Sequence, residues 1–460
     1  MKRPRQLLLT TVRLFVLLLV TQPLLAQPVM ETGGQAMPDE WIDKDTKHRV
    51  VKLTRMQGRS NLSFYFHNNP FIGNKMVFYS SNKNKVDSTT KQEISSFVSP
   101  NRQIHLLDLN TLKSEQLTNH RLPMNGEIVD AKNGFVYYQI RDSVYCVNAA
   151  TKEVKLIYVF PDDFKASITT VNANGTLLGG AKSDDKEKEI LRQNPGKGSY
   201  FNLIYDAKLP RTLFTINVKT GALDKLFTDS AWLNHVQFST TDPDLLMFCH
   251  EGPWHKVNRI WTINIKTKDT TLIHKRTMDM EIAGHEWFAP NGKTIWFDLQ
   301  TPRSVKFFVA GANLKTGTET KYELQRNEWS IHFNCNKDES LFCGDGGDPG
   351  QVARAQDGRW VYLFKPNGDH FESTKLVNMK HHNYKLEPNV HFSPDGKWII
   401  FRANFELSMK IGELVLFPTV RQQGSDVIIA APGTSCRHQI KDGTSKKALH
   451  PVEVVWGAIG

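Results

Sequence analysis

The stretch His391-Phe392-Ser393-Pro394-Asp395-Gly396-Lys397-Trp398-Ile399-Ile400-Phe401 sets a short polar turn between two strand-like apolar runs. Pro, Asp and Gly supply the backbone angles of a tight reversal, while aromatic and β-branched residues favour extended chain on either side. The same plan recurs along the chain. Turns stand at Ile72-Gly73-Asn74-Lys75, Asn133-Gly134, Asn174-Gly175, Asp242-Pro243-Asp244, Pro290-Asn291-Gly292-Lys293 and Asn336-Lys337-Asp338. The units are spaced by roughly 40–70 residues, near the length of four-stranded propeller blades. Closing strands recur too, such as Leu213-Phe214-Thr215-Ile216-Asn217-Val218 followed by Asp224-Lys225-Leu226-Phe227. Few segments sustain a 3.6-residue period.

This pattern predicts an all-β chain, a seven-bladed β-propeller with no second domain. Val50-Val51-Lys52-Leu53-Thr54 reads as a closing strand with no blade before it. It is expected to complete the last blade and close the ring, which removes exposed sheet edges. Glu413-Leu414-Val415-Leu416-Phe417 is a further candidate strand of that blade. The propeller is expected over 48–419. Residues 420–460 lack clear periodicity, and a disordered tail, an appended hairpin or an altered C-terminus all fit.

The first 26 residues read as a secretory signal. Lys2, Arg3 and Arg5 precede the apolar run Leu14–Val20, and the segment ends Pro23-Leu24-Leu25-Ala26-Gln27. The run is short for a membrane span, and no later span follows. Residues 27–47 are expected as a linker. Signal removal deletes Lys2, Arg3, Arg5 and Arg13 and no acid, so the formal net charge falls from +11 to +7. An exported basic protein, periplasmic or secreted, suits a polyanionic glycan better than nucleic acid; an uneventful basic surface also fits. Hydrophobic residues at 40% and charged residues at 23% exclude a wholly disordered chain. Five cysteines without a CxxC exclude a disulfide scaffold. No P-loop, GxGxxG, HExxH or GxSxG motif occurs.

Equivalent positions of different blades ring a propeller's central channel. Aligning the innermost strands on Phe238, Phe288 and Phe392 places His235, His285 and Asn389 at one level, three residues earlier. Residues just past each second strand return to the same face. These are His250-Glu251, Asp298, Asp345 and Arg402, with Lys182 and Asn82 similarly placed. Side chains alternate along extended chain, so Glu387, Asn389 and His391 share one face. With His285 they offer nitrogen and oxygen ligands for a divalent transition metal. His381-His382 is a rival donor pair. His67 and His332 are weaker candidates, with His332 assigned the slot of His391. The alternative is that several of these are hydrogen-bonded structural residues.

Phe248-Cys249-His250-Glu251-Gly252-Pro253, Gly284-His285-Glu286-Trp287-Phe288-Ala289-Pro290-Asn291-Gly292, Gly344-Asp345-Gly346 and Phe392-Ser393-Pro394-Asp395-Gly396 together resemble the oligogalacturonate lyases, polysaccharide lyase family 22. The resemblance spans roughly Arg49 to Asn404. It implies a seven-bladed propeller that splits short oligogalacturonides by β-elimination with a divalent metal, manganese or a similar ion. It also implies that histidines and a glutamine hold the metal. His285 matches the first metal histidine. The family's Gln-x-x-His-x-His segment reads Tyr384, Glu387 and Asn389 here, a departure. Either Glu387 and Asn389 donate oxygen in a harder ligand set, or the metal or the substrate has changed.

A uronate carries a proton at C5, alpha to its carboxylate. A metal or Arg at that carboxylate stabilises the charge built by its removal, and a base near neutral pKa takes the proton. His250 is expected as the base with Glu251 orienting it, and His235 as the alternative. Arg402 or Arg211 is expected to pair with substrate carboxylates, and Glu251 and Asp345 to stand beside the substrate. Two other functions stay open: a lyase for another uronate linkage, and a non-catalytic propeller that binds or scaffolds.

Overall fold

Gly396 turns the chain with φ 69°, a left-handed angle that glycine adopts without a side-chain clash. Its N–H donates to the Ser393 carbonyl, and the Ser393 hydroxyl to Asp395 Oδ1. His391 and Phe392 then pair with Ile400 and Ile399. In the computed structural model, residues 38–56, 58–82, 101–403 and parts of 421–454 are described. The expected signal segment and the candidate strand at 413–417 lie outside the described residues.

The all-β expectation holds. Six antiparallel four-strand meanders follow one another along the chain, each numbered here as a sheet; the fifth and sixth are joined into one eight-stranded sheet by a parallel pairing of Glu323 with His370, and a two-stranded sheet follows them. Their first strands are Arg59–Leu62 (sheet 1), Asn125–Asp130 (sheet 2), Ser167–Val171 (sheet 3), Trp232–Phe238 (sheet 4), Ile282–Phe288 (sheet 5), Phe333–Cys335 (sheet 6) and His391–Phe392 (sheet 7). In sheet 1 the short strand Phe71–Ile72 also pairs with Lys75–Asn82. One departure from the meander interrupts sheet 3. Helices α1 (Asp185–Gln193) and α2 (Lys197–Ala207) are inserted between its second and third strands.

Strands buried on both faces read as near-continuous apolar runs, as Leu245–Glu251 and Thr294–Gln300 do here. The reason is that each core lies between two successive sheets. Leu213 and Leu226 of sheet 3 pack with Leu233, Phe238 and Phe248 of sheet 4. Ile400 of sheet 7 packs with Met76, Phe78 and Leu107 of sheet 1. Each such Leu, Ile or Phe contributes about 1.5–3 kcal/mol relative to exposure. Polar links join the inner ends of the sheets as well. Glu127 accepts from the Tyr65 N–H, the Phe238 N–H donates to Thr170 Oγ1, and Gln237 donates to the Glu286 carbonyl. The Asn389 N–H donates to Asp345, and Asn389 Oδ1 accepts from the Phe66 N–H.

Arg49–Val51 is a strand, but its described partner is Glu40–Ile42, inside the stretch expected as a linker. Trp41 faces Val50, and both are buried with Val390 and Phe392. Asp43 accepts from the Asn378 N–H, and the Thr46 hydroxyl donates to the Leu376 carbonyl. This hairpin is therefore tied to the last strand of sheet 6. Within 420–460, Ile429–Ala430 pairs in parallel with Ala448–Leu449, outside the repeat.

Candidate active site

Strand register defines one structural column at the inner ends of the sheets. Phe238 lies opposite Leu246, Phe288 opposite Ile295, Cys335 opposite Phe342 and Phe392 opposite Ile399. Val129 lies opposite Val136 and Val171 opposite Leu178. In sheet 1 the Val77 N–H donates to the Pro70 carbonyl at the same step. Three residues upstream stand His67, Gly126, Ile168, His235, His285, His332 and Asn389, in sheets 1 to 7 respectively. His332 therefore occupies the slot of His235, His285 and Asn389, not the slot of His391.

Most of these positions share a local distortion. Register shifts fall at Asn125/Ile128, Ile168/Thr170, Asn234/Gln237 and Gly284/Trp287. An extra residue bends the strand and re-aims a side chain. Gly126, His235, His285 and Asn389 take φ of 110°, 48°, 46° and 51°. Non-glycine residues adopt left-handed angles only where their surroundings hold them there, commonly at functional sites.

Four imidazoles of the column gather around Tyr65 and Phe66. The Tyr65 ring centroid lies 5.0 Å from His67, 6.5 Å from His235 and 5.0 Å from His332. His285 and His332 are 5.1 Å apart, and Phe66 stacks on His332 at 4.7 Å. Two of the histidines have a carboxylate behind them. Asp345 Oδ2 meets His332 Nδ1 at 2.8 Å, and Asp298 Oδ1 stands 3.2 Å from His285 Nδ1. On its other side His332 Nε2 lies 3.2 Å from the Tyr65 hydroxyl and 3.7 Å from Glu387 Oε2.

Burial lowers the pKa of His235, against the opposing pull of Glu286. Burial also lowers His67 strongly, with His235 and His332 adding repulsion. For His285 burial alone would act downward, but Asp298 outweighs it and the pKa is raised. His67 and His235 are thus pushed toward the neutral form beside a more basic His285.

The oligogalacturonate lyase family model matches residues 71–410. The chain belongs to this family. An oligogalacturonate lyase of Dickeya dadantii (strain 3937) is 25% identical over 317 residues, covering 66% of this chain and 80% of the relative. An oligogalacturonide lyase of Pectobacterium atrosepticum is 23% identical over 324 residues, with the same coverage. An oligogalacturonate lyase solved in complex with manganese superposes with TM-score 0.65 at 23% identity, covering 79% of this chain and 92% of that one. The Vibrio parahaemolyticus enzyme gives TM-score 0.66 at 22% identity, covering 80% and 93%. These two likenesses establish the fold this family member shares.

Within that frame, several expected site residues take other places. His250 does not join the column. Strand alternation turns it away from its neighbour Glu251, and its ring stacks on Trp261 at 5.0 Å. Arg211 is buried against the helical insert, with Nε and Nη2 on Glu187 and Nη1 on the Leu233 carbonyl. A guanidinium taken out of water needs such a carboxylate, and α1 supplies it. Asp345 is fully buried, and its carboxylate accepts from the His332 and Asn389 N–H groups. Arg402 is buried and donates to the hydroxyl and carbonyl of Ser63.

Glu251 is internal too. Its Oε1 accepts from Arg259 Nη1 at 2.7 Å and Trp254 Nε1 at 2.8 Å, and Arg259 Nε reaches Glu286 at 2.8 Å. Burial alone would raise its carboxyl, but Arg259 prevails and holds the pKa near 2. Its Oε2 lies 3.7 Å from His235 Nε2.

Of the expected ligand set, His285 and Glu387 reach the cluster. Asn389 is occupied by backbone, its Oδ1 accepting from Phe66 and its Nδ2 donating to the Glu387 carbonyl. His391 lies 3.1 Å from the Asn389 carbonyl and 3.2 Å from that of Asn68, and is buried. Among the described residues no three His, Cys, Asp or Glu side chains stand close enough to hold a metal ion as they are. The donor chemistry nonetheless fits one. His285 and His332 are imidazoles backed by carboxylates, the usual support of metal-binding histidines, and Glu387 beside them is half-exposed.

The phenylalanine alignment missed His67 and His332 because Pro70 and Cys335 replace the aromatic in their sheets. Turn-to-turn spacing carries the signal instead. Tyr65 and Trp254 have no repeat signal.

Proposed function

We propose that this chain cleaves oligogalacturonides by β-elimination at C5 of a uronate, leaving a 4,5-unsaturated product. The observation that carries this reading is the convergence of His67, His235, His285 and His332 around Tyr65 and Phe66 in a member of the oligogalacturonate lyase family. His235 takes the C5 proton. It faces the cluster, burial keeps it neutral, and Glu251 at 3.7 Å stabilises the imidazolium that forms. The C4–oxygen bond then breaks, its electrons leaving with the departing sugar oxygen. No attacking water is required, so carboxylates at hydrolase spacing are not needed.

His285, His332 and Glu387 are the groups that would hold a divalent metal, manganese by analogy with the relative solved in its presence. Bound there, a metal supplies positive charge for the carboxylate on which charge develops. Asp345 orients His332 by a hydrogen bond, and the Asp298 carboxylate places negative charge 3.2 Å from His285 Nδ1.

The seven sheets form a seven-bladed propeller over 48–419, and the hairpin containing Arg49–Val51 closes it beside sheet 7. The shared burial of Trp41, Val50, Val390 and Phe392 supports this closure. The basic, apolar and small-residue pattern of 1–26 supports export to the periplasm or medium. Among the described residues no helix is long and apolar enough to cross a membrane.

The test is ultraviolet absorbance of the purified mature protein with di- and trigalacturonate, with manganese or with chelator. A metal-dependent rise is expected. No rise under either condition overturns the reading and leaves another uronate linkage or binding alone.

A further inference from the structure

The Glu251–Arg259–Glu286 network is more elaborate than orienting one histidine requires. Arg259, Glu286 and Glu251 are all buried, and the guanidinium binds both carboxylates. Such a network leaves its members little freedom. What it presents outward is Trp254. The indole N–H donates to Glu251 Oε1 at 2.8 Å, and the Arg259 guanidinium lies over the ring at 5.0 Å. The ring stands edge-on to His285, centroids 5.4 Å apart, and remains partly exposed.

Two glycines make room for this arrangement. A Cβ at Gly284 would lie 2.9 Å from the Trp254 ring. Gly252 takes φ 144°, and a Cβ there would collide with the Tyr205 ring of α2. The helical insert therefore backs the loop that carries Trp254. It is anchored in turn by Arg211 on Glu187 and by Phe201 against Trp232, centroids 5.2 Å apart. A tryptophan bonded to a buried carboxylate, capped by a guanidinium and set edge-on to His285, in a loop backed at Gly252 by Tyr205 of α2, is a fixed aromatic surface at the edge of the histidine cluster.

We propose that Trp254 is the sugar-positioning residue of this site, packing its indole against the apolar C–H face of a hexuronate ring and setting which ring of the oligomer reaches His235 and His285. This rests on the lyase reading above. Pyranose rings carry one polar rim and an apolar C–H face. An immobile indole offers large contact area at little entropic cost. Arg259 and Glu286 act through it as positioning residues, and Glu251 serves both Trp254 through Oε1 and His235 through Oε2.

The experiment compares wild type, Trp254→Ala and Trp254→Phe in steady-state cleavage of trigalacturonate with manganese. Trp254→Ala is expected to raise KM about tenfold with a smaller change in kcat, and Trp254→Phe to recover part of the loss. An active wild type with unchanged KM in a folded Trp254→Ala overturns the inference. An inactive wild type overturns the lyase reading instead. A second readout does not require the alanine variant to fold. In wild type labelled with 5-fluorotryptophan, the fluorine resonance lost in Trp254→Phe is expected to shift when trigalacturonate is added to chelated enzyme. No shift at saturating oligosaccharide overturns the inference.

Discussion

Two arcs of the same column differ in chemistry while sharing a backbone plan. In sheets 4 to 7 and sheet 1 the column position carries His235, His285, His332, Asn389 and His67. In sheets 2 and 3 it carries Gly126 and Ile168. Both arcs contain the strand register shift, so the distortion belongs to the repeat and the chemistry to the side chain placed on it. At Gly126 a Cβ would lie 3.2 Å from the Tyr138 Cα, and Ile168 is absorbed into the core with Phe160 and Phe214. One arc offers no ionisable side chain at this level where the other is lined with imidazoles.

Three substitutions break or sharpen this contrast. The largest effect is expected at His235 in the imidazole arc. His235→Asn keeps a polar side chain but removes the base, and kcat should fall by about 10²–10⁴ at unchanged fold. A variant retaining wild-type kcat would move the base elsewhere in the cluster. Next is Asp345, whose carboxylate holds His332 Nδ1. Asp345→Asn should weaken manganese binding by about 10–100-fold, read by calorimetry without substrate. Unchanged affinity would remove His332 from the ligand set. The smallest effect is expected in the packed arc. Ile168→Val should cost about 0.5–1.5 kcal/mol in denaturant unfolding and leave kcat and KM as they were. A kinetic change there would show that the packed arc is not silent.

The repeat was legible because each turn carries its own chemistry. Asp395-Gly396 and Asn291-Gly292 specify reversals locally, and the runs beside them pair with residues only a turn away. His235 and His285 were legible for the same reason, since both sit a fixed distance before a phenylalanine. Where that phenylalanine is replaced, at Pro70 and Cys335, His67 and His332 lost their place in the alignment. The strand Glu40–Ile42 was hidden because three residues between polar neighbours give no period to count, and its pairing is set by burial of Trp41 against sheet 7.

The functional assignments of His250, Arg211, Glu251 and Asp345 show a different limit. Their residue types suit the chemistry, and their positions along the strands lie near the site. Whether a carboxylate faces a substrate or a buried guanidinium depends on what packs against it from distant sequence. Glu187, inserted with α1, takes Arg211, and Arg259 takes Glu251 and Glu286.

The sequence alone determined the strand-and-turn repeat, the all-β class and the family, because these rest on local propensity and short-range spacing. Only the tertiary structure decided which histidines share a level, which carboxylates stand behind them and which wall Trp254 forms. Those depend on register and on contacts between sheets far apart in the chain, where a one-residue shift turns a side chain to the opposite face.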